Sequence, residues 1–359
     1  MIRIISFYPT YIPYMNFAVL RLFVLLCLLS AIVACTPDEA PLSESCASAI
    51  DLPNTPKVDL TVLRYEQDLL AIDTANLVAD LAQLDSKYGD FNDFYLTRLM
   101  APPGYTREQT ARAVVASPLF DKIGDTTAQV YADFGPWTTQ LEDALQRYRY
   151  YFPEAPAPDT VITLINEFNY AAFTYGDGVL GIGLEAFLGG EYSLLPPTDE
   201  FPKYRRRTMN SDHLATKAMY IILQQVVPQP EQPRLLDEML YRAKLLYALD
   251  RVMPCAPDSA KWEVTREQVA FLRSSDQEIW KFVLQQDLLY STDRATIAKY
   301  TAPGPSSPGM PDVAPARTVV YLGYRILQQA MRKNPDLTLT DMLAITDAQR
   351  LLELSKYQP

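Results

Sequence analysis

The chain has 359 residues, of which 48% are hydrophobic and 21% are charged, a composition typical of globular proteins. Its single histidine is too few for a zinc hydrolase that binds the metal through two imidazoles. Its formal net charge of −11 disfavours a nucleic-acid partner, because neutralising phosphates requires an excess of Lys and Arg. We therefore expect a globular protein that belongs to neither class.

Residues 1–34 have the pattern of a bacterial lipoprotein signal peptide. Arg21 precedes an apolar run at 22–29, which is shorter than the ~20 residues that a membrane-spanning helix requires. The small residues before Cys35 resemble a lipobox, in which the cysteine receives a diacylglycerol and becomes the new N-terminus. The prediction is a cell-envelope protein that Cys35 anchors to a bacterial membrane. The choice between inner and outer membrane stays open, and Met15 is an alternative start.

Residues 35–57 are rich in Pro, Ser, Ala and acidic side chains, which is typical of a flexible linker between a lipid and a domain. Once residues 1–34 are removed and Cys35 is lipidated, Cys46 and Cys255 are the two thiols left. Oxidising compartments outside the cytoplasm favour disulfides. We expect Cys46 and Cys255 to pair, with two unpaired thiols as the alternative.

Residues 58–359 are predicted to form one domain that begins with a helical half at 58–158. Apolar residues recur there at spacings of three and four, the period of an amphipathic helix. The predicted helices span residues 60–72, 75–84, 88–100, 108–115, 128–131 and 136–151.

A small sheet is predicted at residues 159–200. The short segments 160–164, 170–175 and 179–184 are β-branched, aromatic or alternating around glycines. Gly176-Asp177-Gly178 provides turn residues between the last two segments. Two or three strands that include a hairpin are therefore expected.

Residues 201–359 are predicted to form a second helical half. Thr265, Ser275 and Thr346 each precede Gln or Glu by three residues, the pattern of a helix-capping box. The predicted helices span 212–227, 233–253, 265–273, 276–289 and 317–333, followed by a short final pair, and a proline-rich loop occupies 301–315. The predicted fold class is α+β, predominantly helical, with its sheet in the middle of the chain.

This order of elements is also that of zincin-type metalloproteases, in which the helix after the sheet carries the zinc-binding motif H-E-x-x-H. In the corresponding helix here, His213 is followed by Leu214 at the glutamate position and by Lys217 at the position of the second histidine. A lysine at that position would repel zinc. Glu238 and Tyr241, on the next long helix, are most simply solvated side chains, and together with Glu185 and His213 they are the candidate residues of a groove. We therefore predict a zincin-like domain without catalysis, and no metal or cofactor.

Two other functions stay open. The first is an envelope metallopeptidase or hydrolase with an atypical carboxylate-rich metal site, which requires Glu185, His213 and Glu238 to converge. The second is a glycan-capturing surface lipoprotein, an idea that rests on the lipid anchor and on the aromatic residues. On the simplest interpretation, His213 is a partly exposed residue bonded to its neighbours. The basic run at 203–207 is interpreted as a solvated loop or a counter-charge for the acidic body, with a phosphate site as the alternative.

Several phrases together resemble the gliding motility lipoprotein GldB family of the Bacteroidetes. They occur in the family's order over nearly the whole chain after Cys35. The phrases are RYEQDLL at 64–70, GVLGIGL at 178–184, FLG at 187–189, LLYSTD at 288–293, SPG at 307–309, LGYRIL at 322–327 and SKY at 355–357. Residues 310–315 depart from the family as a proline-rich insertion.

The resemblance implies a zincin-like scaffold that lacks the metal motif, and a part in gliding motility and the linked type IX secretion machinery. Envelope, motility or secretion proteins are then the expected partners, together with the membrane that the lipid enters. The leading prediction is a non-catalytic envelope protein that acts by binding or assembly.

Overall fold

The computed structural model describes Cys46, Leu52, residues 55–197 and residues 199–359, all within one compact unit, Pro41–Pro359. The predicted signal peptide, the lipid attachment at Cys35 and most of the predicted linker lie outside the described residues. Within the described part of the chain, no helix is long and apolar enough to cross a membrane.

The first half begins with a strand, β1 (Thr61–Arg64), and continues as helices. The prediction of one helix over residues 60–72 is wrong at its start, because β1 pairs in parallel with a strand about a hundred residues later and this pairing overrides the local helical period. The helices are α1 (Tyr65–Leu70), α2 (Leu77–Tyr88), α3 (Asp90–Phe94) with a π-helical turn at Tyr95–Leu99, α4 (Arg107–Val115), α5 (Pro118–Val130) and α6 (Gly135–Tyr151).

The sheet adds β2 (Thr160–Leu164), β3 (Ala172–Tyr175) and β4 (Val179–Gly183) to β1, in the order β1-β2-β4-β3. Three strands are parallel, whereas β3 runs antiparallel to β4, so the predicted hairpin is confirmed. Among the described residues, β3 pairs with β4 alone and is therefore an edge strand. A short 3₁₀ helix, Leu184–Phe187, follows β4.

The second half is helical, as predicted. Its elements are α7 (Lys203–Arg206), a 3₁₀ turn (Ser211–His213), α8 (Leu214–Leu223), α9 (Leu235–Val252), α10 (Asp258–Trp262), α11 (Arg266–Ser274), α12 (Asp276–Gln285), α13 (Arg294–Thr301), α14 (Thr318–Lys333), α15 (Leu339–Ala344) and α16 (Ala348–Ser355). The capping box at Thr265 is present. Ser275 accepts no capping hydrogen bond, and Asp347 rather than Thr346 caps α16.

Two hydrophobic cores lie on opposite faces of the sheet. One joins α1–α5 to the face that carries Ile162 and Leu164. The other joins α6 and the second helical half to the face that carries Val161, Leu180 and Ile182. Because adjacent strand residues point to opposite faces, Val161 and Ile162 enter different cores. The sheet is thus a central layer between two helical layers, and the chain is an α+β protein in which helix predominates.

The structure pairs Cys46 with Cys255 in a disulfide, with 4.5 Å between their Cα atoms. Cys255 lies just after the end of α9. The bridge therefore links the start of the described chain to the C-terminal end of the longest helix.

Candidate functional site

Helix α8, which follows the sheet, is preceded by a buried histidine, His213. The Asn210 side chain accepts a hydrogen bond from the backbone N–H of Asp212, and its Oδ1 lies 3.1 Å from His213 Nδ1. His213 is bonded to its neighbour, as expected, but the predicted partial exposure is wrong because the side chain is buried. Burial, and next the Lys217 ammonium, lower the pKa of His213 and so favour the neutral imidazole.

One turn further along α8, Lys217 enters an ion cluster. Its Nζ lies 2.7 Å from Glu263 Oε1, and Arg317 Nη2 lies 3.2 Å from Glu263 Oε2. Arg207 Nη2 donates to the backbone carbonyl of Glu263 at 2.9 Å. Burial raises the pKa of Glu263, but Lys217 and Arg317 lower it further, which leaves a pKa of about 2. The carboxylate is therefore ionised at neutral pH.

The cluster forms the floor of what we call the cationic groove: two adjoining cavities of about 300 and 330 Å³. Six of the described residues line both cavities: Asn169, Ala171, Lys217, Glu263, Pro303 and Arg317. The rest of the lining mixes cations with apolar and aromatic side chains. Such a mixture suits a ligand that has both apolar and charged groups.

One wall of the groove is the segment that leads into edge strand β3. It passes so close to β4 that a Cβ on Gly183 would lie 2.3 Å from the backbone oxygen of Tyr170. Glu185 Oε1 accepts hydrogen bonds from the backbone N–H groups of Asn166 and Phe168, at 2.5 and 3.1 Å. The carboxyl of Glu185 therefore holds the turn that precedes the wall.

Backbone strain is concentrated at this groove. Six non-glycine residues in the described part of the chain have positive φ, and Phe168, Glu263 and Arg317 among them line the groove. Such conformations cost about 1–3 kcal/mol each and cluster at ligand-binding and active sites. Strain at three lining residues is therefore a reason to regard the groove as functional.

Burial raises the pKa of Glu185 from 4.5 to about 7, although its two backbone donors favour the ionised form. A carboxyl whose pKa is raised on folding adds stability below pH 4.5, and that stability is lost as the pH rises through 7. Between pH 5.5 and pH 8, we expect the free energy of unfolding to fall by about 2 kcal/mol through this group. Urea unfolding of the wild type and of Glu185→Gln at both pH values measures the effect.

Glu185→Gln keeps an oxygen that can accept both backbone hydrogen bonds but cannot ionise, so its stability should lack this part of the pH dependence. The matched control is Glu231→Gln, at an exposed glutamate. It should keep the pH profile of the wild type. A Glu185→Gln variant with the same pH profile as the wild type would contradict the assignment.

The carboxylate-rich metal site of the alternative hypothesis does not form. Glu238 pairs with Arg242 at 2.6 Å, and Glu185 accepts hydrogen bonds from the backbone of the turn described above. Tyr241, predicted to be solvated, is buried and accepts from Gln229 Nε2 at 2.9 Å. Among the described residues, no three His, Cys, Asp or Glu side chains lie close enough to hold a metal ion. Glu185, His213 and Glu238 therefore do not converge on a common centre.

Sequence reasoning missed most of the groove. Glu263 and Arg317 were not singled out, and Arg207 was assigned to a solvated loop, whereas it lines the groove. Only Lys217 was identified, because the zincin comparison placed it at a ligand position. Glu263 and Arg317 are separated by 54 residues and carry no local motif, so no sequence signal joins them.

A comparison with protein families decides the affiliation. The family model described as "Gliding motility protein GldB" matches residues 45–359. The chain belongs to this family. Membership associates it with gliding motility and with a lipid-anchored place in the cell envelope. No curated protein and no solved structure matches the chain, so the zincin-like description stays a prediction.

Proposed function

We propose that this GldB-family protein is a non-catalytic, lipid-anchored envelope component that binds a partner protein in the cationic groove. Its place is the gliding machinery and the type IX secretion machinery linked to it. The partner is then another envelope, motility or secretion protein, and the lipid on Cys35 keeps the domain at the membrane. The membrane itself, inner or outer, is left open.

The observation that carries this proposal is the Lys217–Glu263–Arg317 cluster in an open groove. At Lys217, which the sequence comparison aligns with the second zinc ligand of a zincin, the groove has an ammonium paired with Glu263, and Arg317 contacts the same carboxylate. Paired in this way, Glu263 has a pKa of about 2 and is a poor general base at neutral pH. The adjoining wall leads into an edge strand, an element to which extended segments of partner proteins bind. These features favour recognition over hydrolysis.

Filling the groove is expected to abolish gliding without removing the protein from the membrane. Ala171 lines both cavities, and its own backbone carbonyl accepts from Gly183, so Ala171→Trp changes the groove while keeping that hydrogen bond. The variant is produced in a gliding host that lacks its own family member, and colony spreading is measured. Secretion of a reporter through the type IX system is measured in the same strains.

The matched control is Val130→Trp, at a side chain that is 46% exposed and lines neither cavity. It should spread like the wild type. Normal spreading by Ala171→Trp, with the variant present in the membrane fraction, would refute the proposal. Stoichiometric zinc in the purified wild type together with chelator-sensitive peptidase activity would instead establish an enzyme.

A further inference from the structure

We infer that the cationic groove recognises a carboxylate on the bound polypeptide, either an acidic side chain or a free C-terminus. This inference rests on the proposed function and specifies what the groove selects. The whole chain is acidic, with a formal net charge of −11, whereas the charge that lines the groove is positive.

The described residues that line the two cavities carry more positive than negative charge. Glu263 is the one carboxylate among them, and the cations are Arg205, Arg207, Lys217, Arg242, Lys261 and Arg317. Two of these cations are neutralised from outside the lining, Arg242 by Glu238 and Lys261 by Asp250.

The floor keeps an excess of positive charge after these pairs are set aside. Lys217 and Arg317 share the single carboxylate of Glu263, whereas Arg207 donates to the backbone carbonyl of that residue. Arg205 lies over the ring of Phe201. A second anion would balance the floor. In a concave site walled by protein, an excess of one sign attracts a ligand of the opposite sign.

An unused hydrogen-bond donor points to the same ligand. Arg207 donates through Nη2 to a backbone carbonyl, but its Nε is buried and has no acceptor among the described residues. A guanidinium presents its N–H groups in a planar fork that matches the two oxygens of a carboxylate. Arg207 lines the first cavity, so a carboxylate bound there would lie against this guanidinium.

The remaining lining favours a polypeptide as the carrier of this carboxylate. Apolar side chains such as Phe168, Ala186, Ile221 and Leu246 line the two cavities beside the cations. A small inorganic anion would leave these surfaces unused, whereas neighbouring side chains of a peptide would cover them. The adjacent edge strand β3 suits an extended chain as well.

Fluorescence anisotropy with the full chain in detergent micelles tests the inference. The probes are three peptides of one neutral, apolar background with a neutral label. The first has a central Asp and an amidated C-terminus, the second a central Asn and a free C-terminus, and the third a central Asn and an amidated C-terminus. One of the two peptides with a carboxylate should bind about tenfold more tightly than the peptide that has none. A tenfold difference is about what one charge-assisted hydrogen bond contributes. Which of them binds more tightly identifies the source of the carboxylate.

Arg207→Gln should reduce this preference to nearly none, and Lys217→Gln should weaken it. The control, Arg294→Gln, removes an exposed cation that lines neither cavity and should keep the full preference. Circular dichroism verifies the fold of each variant. Added salt should weaken binding of the preferred peptide to the wild type by screening, a measurement that does not depend on any variant.

Equal binding of the three peptides would overturn the inference and leave the proposed function standing. Binding of none of them would overturn it as well, while the spreading of Ala171→Trp decides the proposed function separately. If inorganic phosphate binds the wild type more tightly than acetate does, and Arg207→Gln removes this binding, the groove is a phosphate site and the inference is wrong.

Discussion

Replacing Lys261 by Met is expected to lower the free energy of unfolding by about 3–5 kcal/mol, the cost of leaving a buried charge without its partner. Lys261 Nζ lies 2.6 Å from Asp250 Oδ1, and the two side chains are 1% and 6% exposed. Met keeps most of the volume of the lysine stem but removes the cation. Urea unfolding followed by circular dichroism at neutral pH measures the loss.

The effect should be large because this ion pair joins three helices. Asp250 belongs to α9 and Lys261 to α10, and Tyr324 on α14 donates its hydroxyl hydrogen bond to Asp250. Burial raises the pKa of Asp250, while Lys261 opposes that shift. Without Lys261, the carboxyl must either ionise with little compensation or take up a proton, and each route reduces stability.

A second substitution separates the lost ion pair from lost packing. Asp250→Asn combined with Lys261→Met removes the nearer stranded carboxylate and keeps an oxygen that can accept from Tyr324. Asp258, which lies 3.4 Å from Lys261 Nζ, keeps Arg273 as a partner at 3.6 Å. The double variant should recover at least half of the free energy of unfolding that Lys261→Met loses. A double-mutant cycle measures this coupling energy between Asp250 and Lys261. If the double variant is no more stable than Lys261→Met alone, the loss comes from packing and the ion-pair explanation is wrong.

Removing the disulfide is the second change with a large expected effect. Cys46→Ser with Cys255→Ser should lower the free energy of unfolding by about 2–5 kcal/mol. The bridge closes a loop with a sequence separation of 209, and a crosslink restricts the unfolded chain more strongly when the loop is long. Urea unfolding under non-reducing conditions measures the difference between the wild type and the double variant.

The reduced wild type is the natural control, since it keeps both sulfur atoms but lacks the bond. It should unfold at nearly the urea concentration of the double serine variant. Alkylation followed by mass measurement tests the bond itself, because Cys46 and Cys255 should react only after reduction. Modification of both thiols in the untreated native protein would show that they are not paired.

The local parts of the fold could be predicted from the sequence because they depend on neighbouring residues. The amphipathic period predicted most helices, and the capping box at Thr265 depends on a partner three residues away. The hairpin of β3 and β4 follows from the turn residues between them. Family membership was also visible in the sequence, since the matching phrases are spread over the same region that the family model covers.

Only the tertiary structure decided β1 and the cationic groove. Thr61–Arg64 is a strand because its partner, Thr160–Leu164, lies beside it in space. The local sequence period cannot indicate a pairing partner so far away in the chain. The groove joins Arg207 and Lys217 to Glu263 and Arg317, which come from four separate segments. Their pairing, like the positive φ of Glu263 and Arg317, is imposed by the packing of distant elements. The hydrophobic period and the charge pattern depend on residues that are neighbours in the chain, so they can be recognised in the sequence. A site assembled from distant segments exists only once the chain has folded.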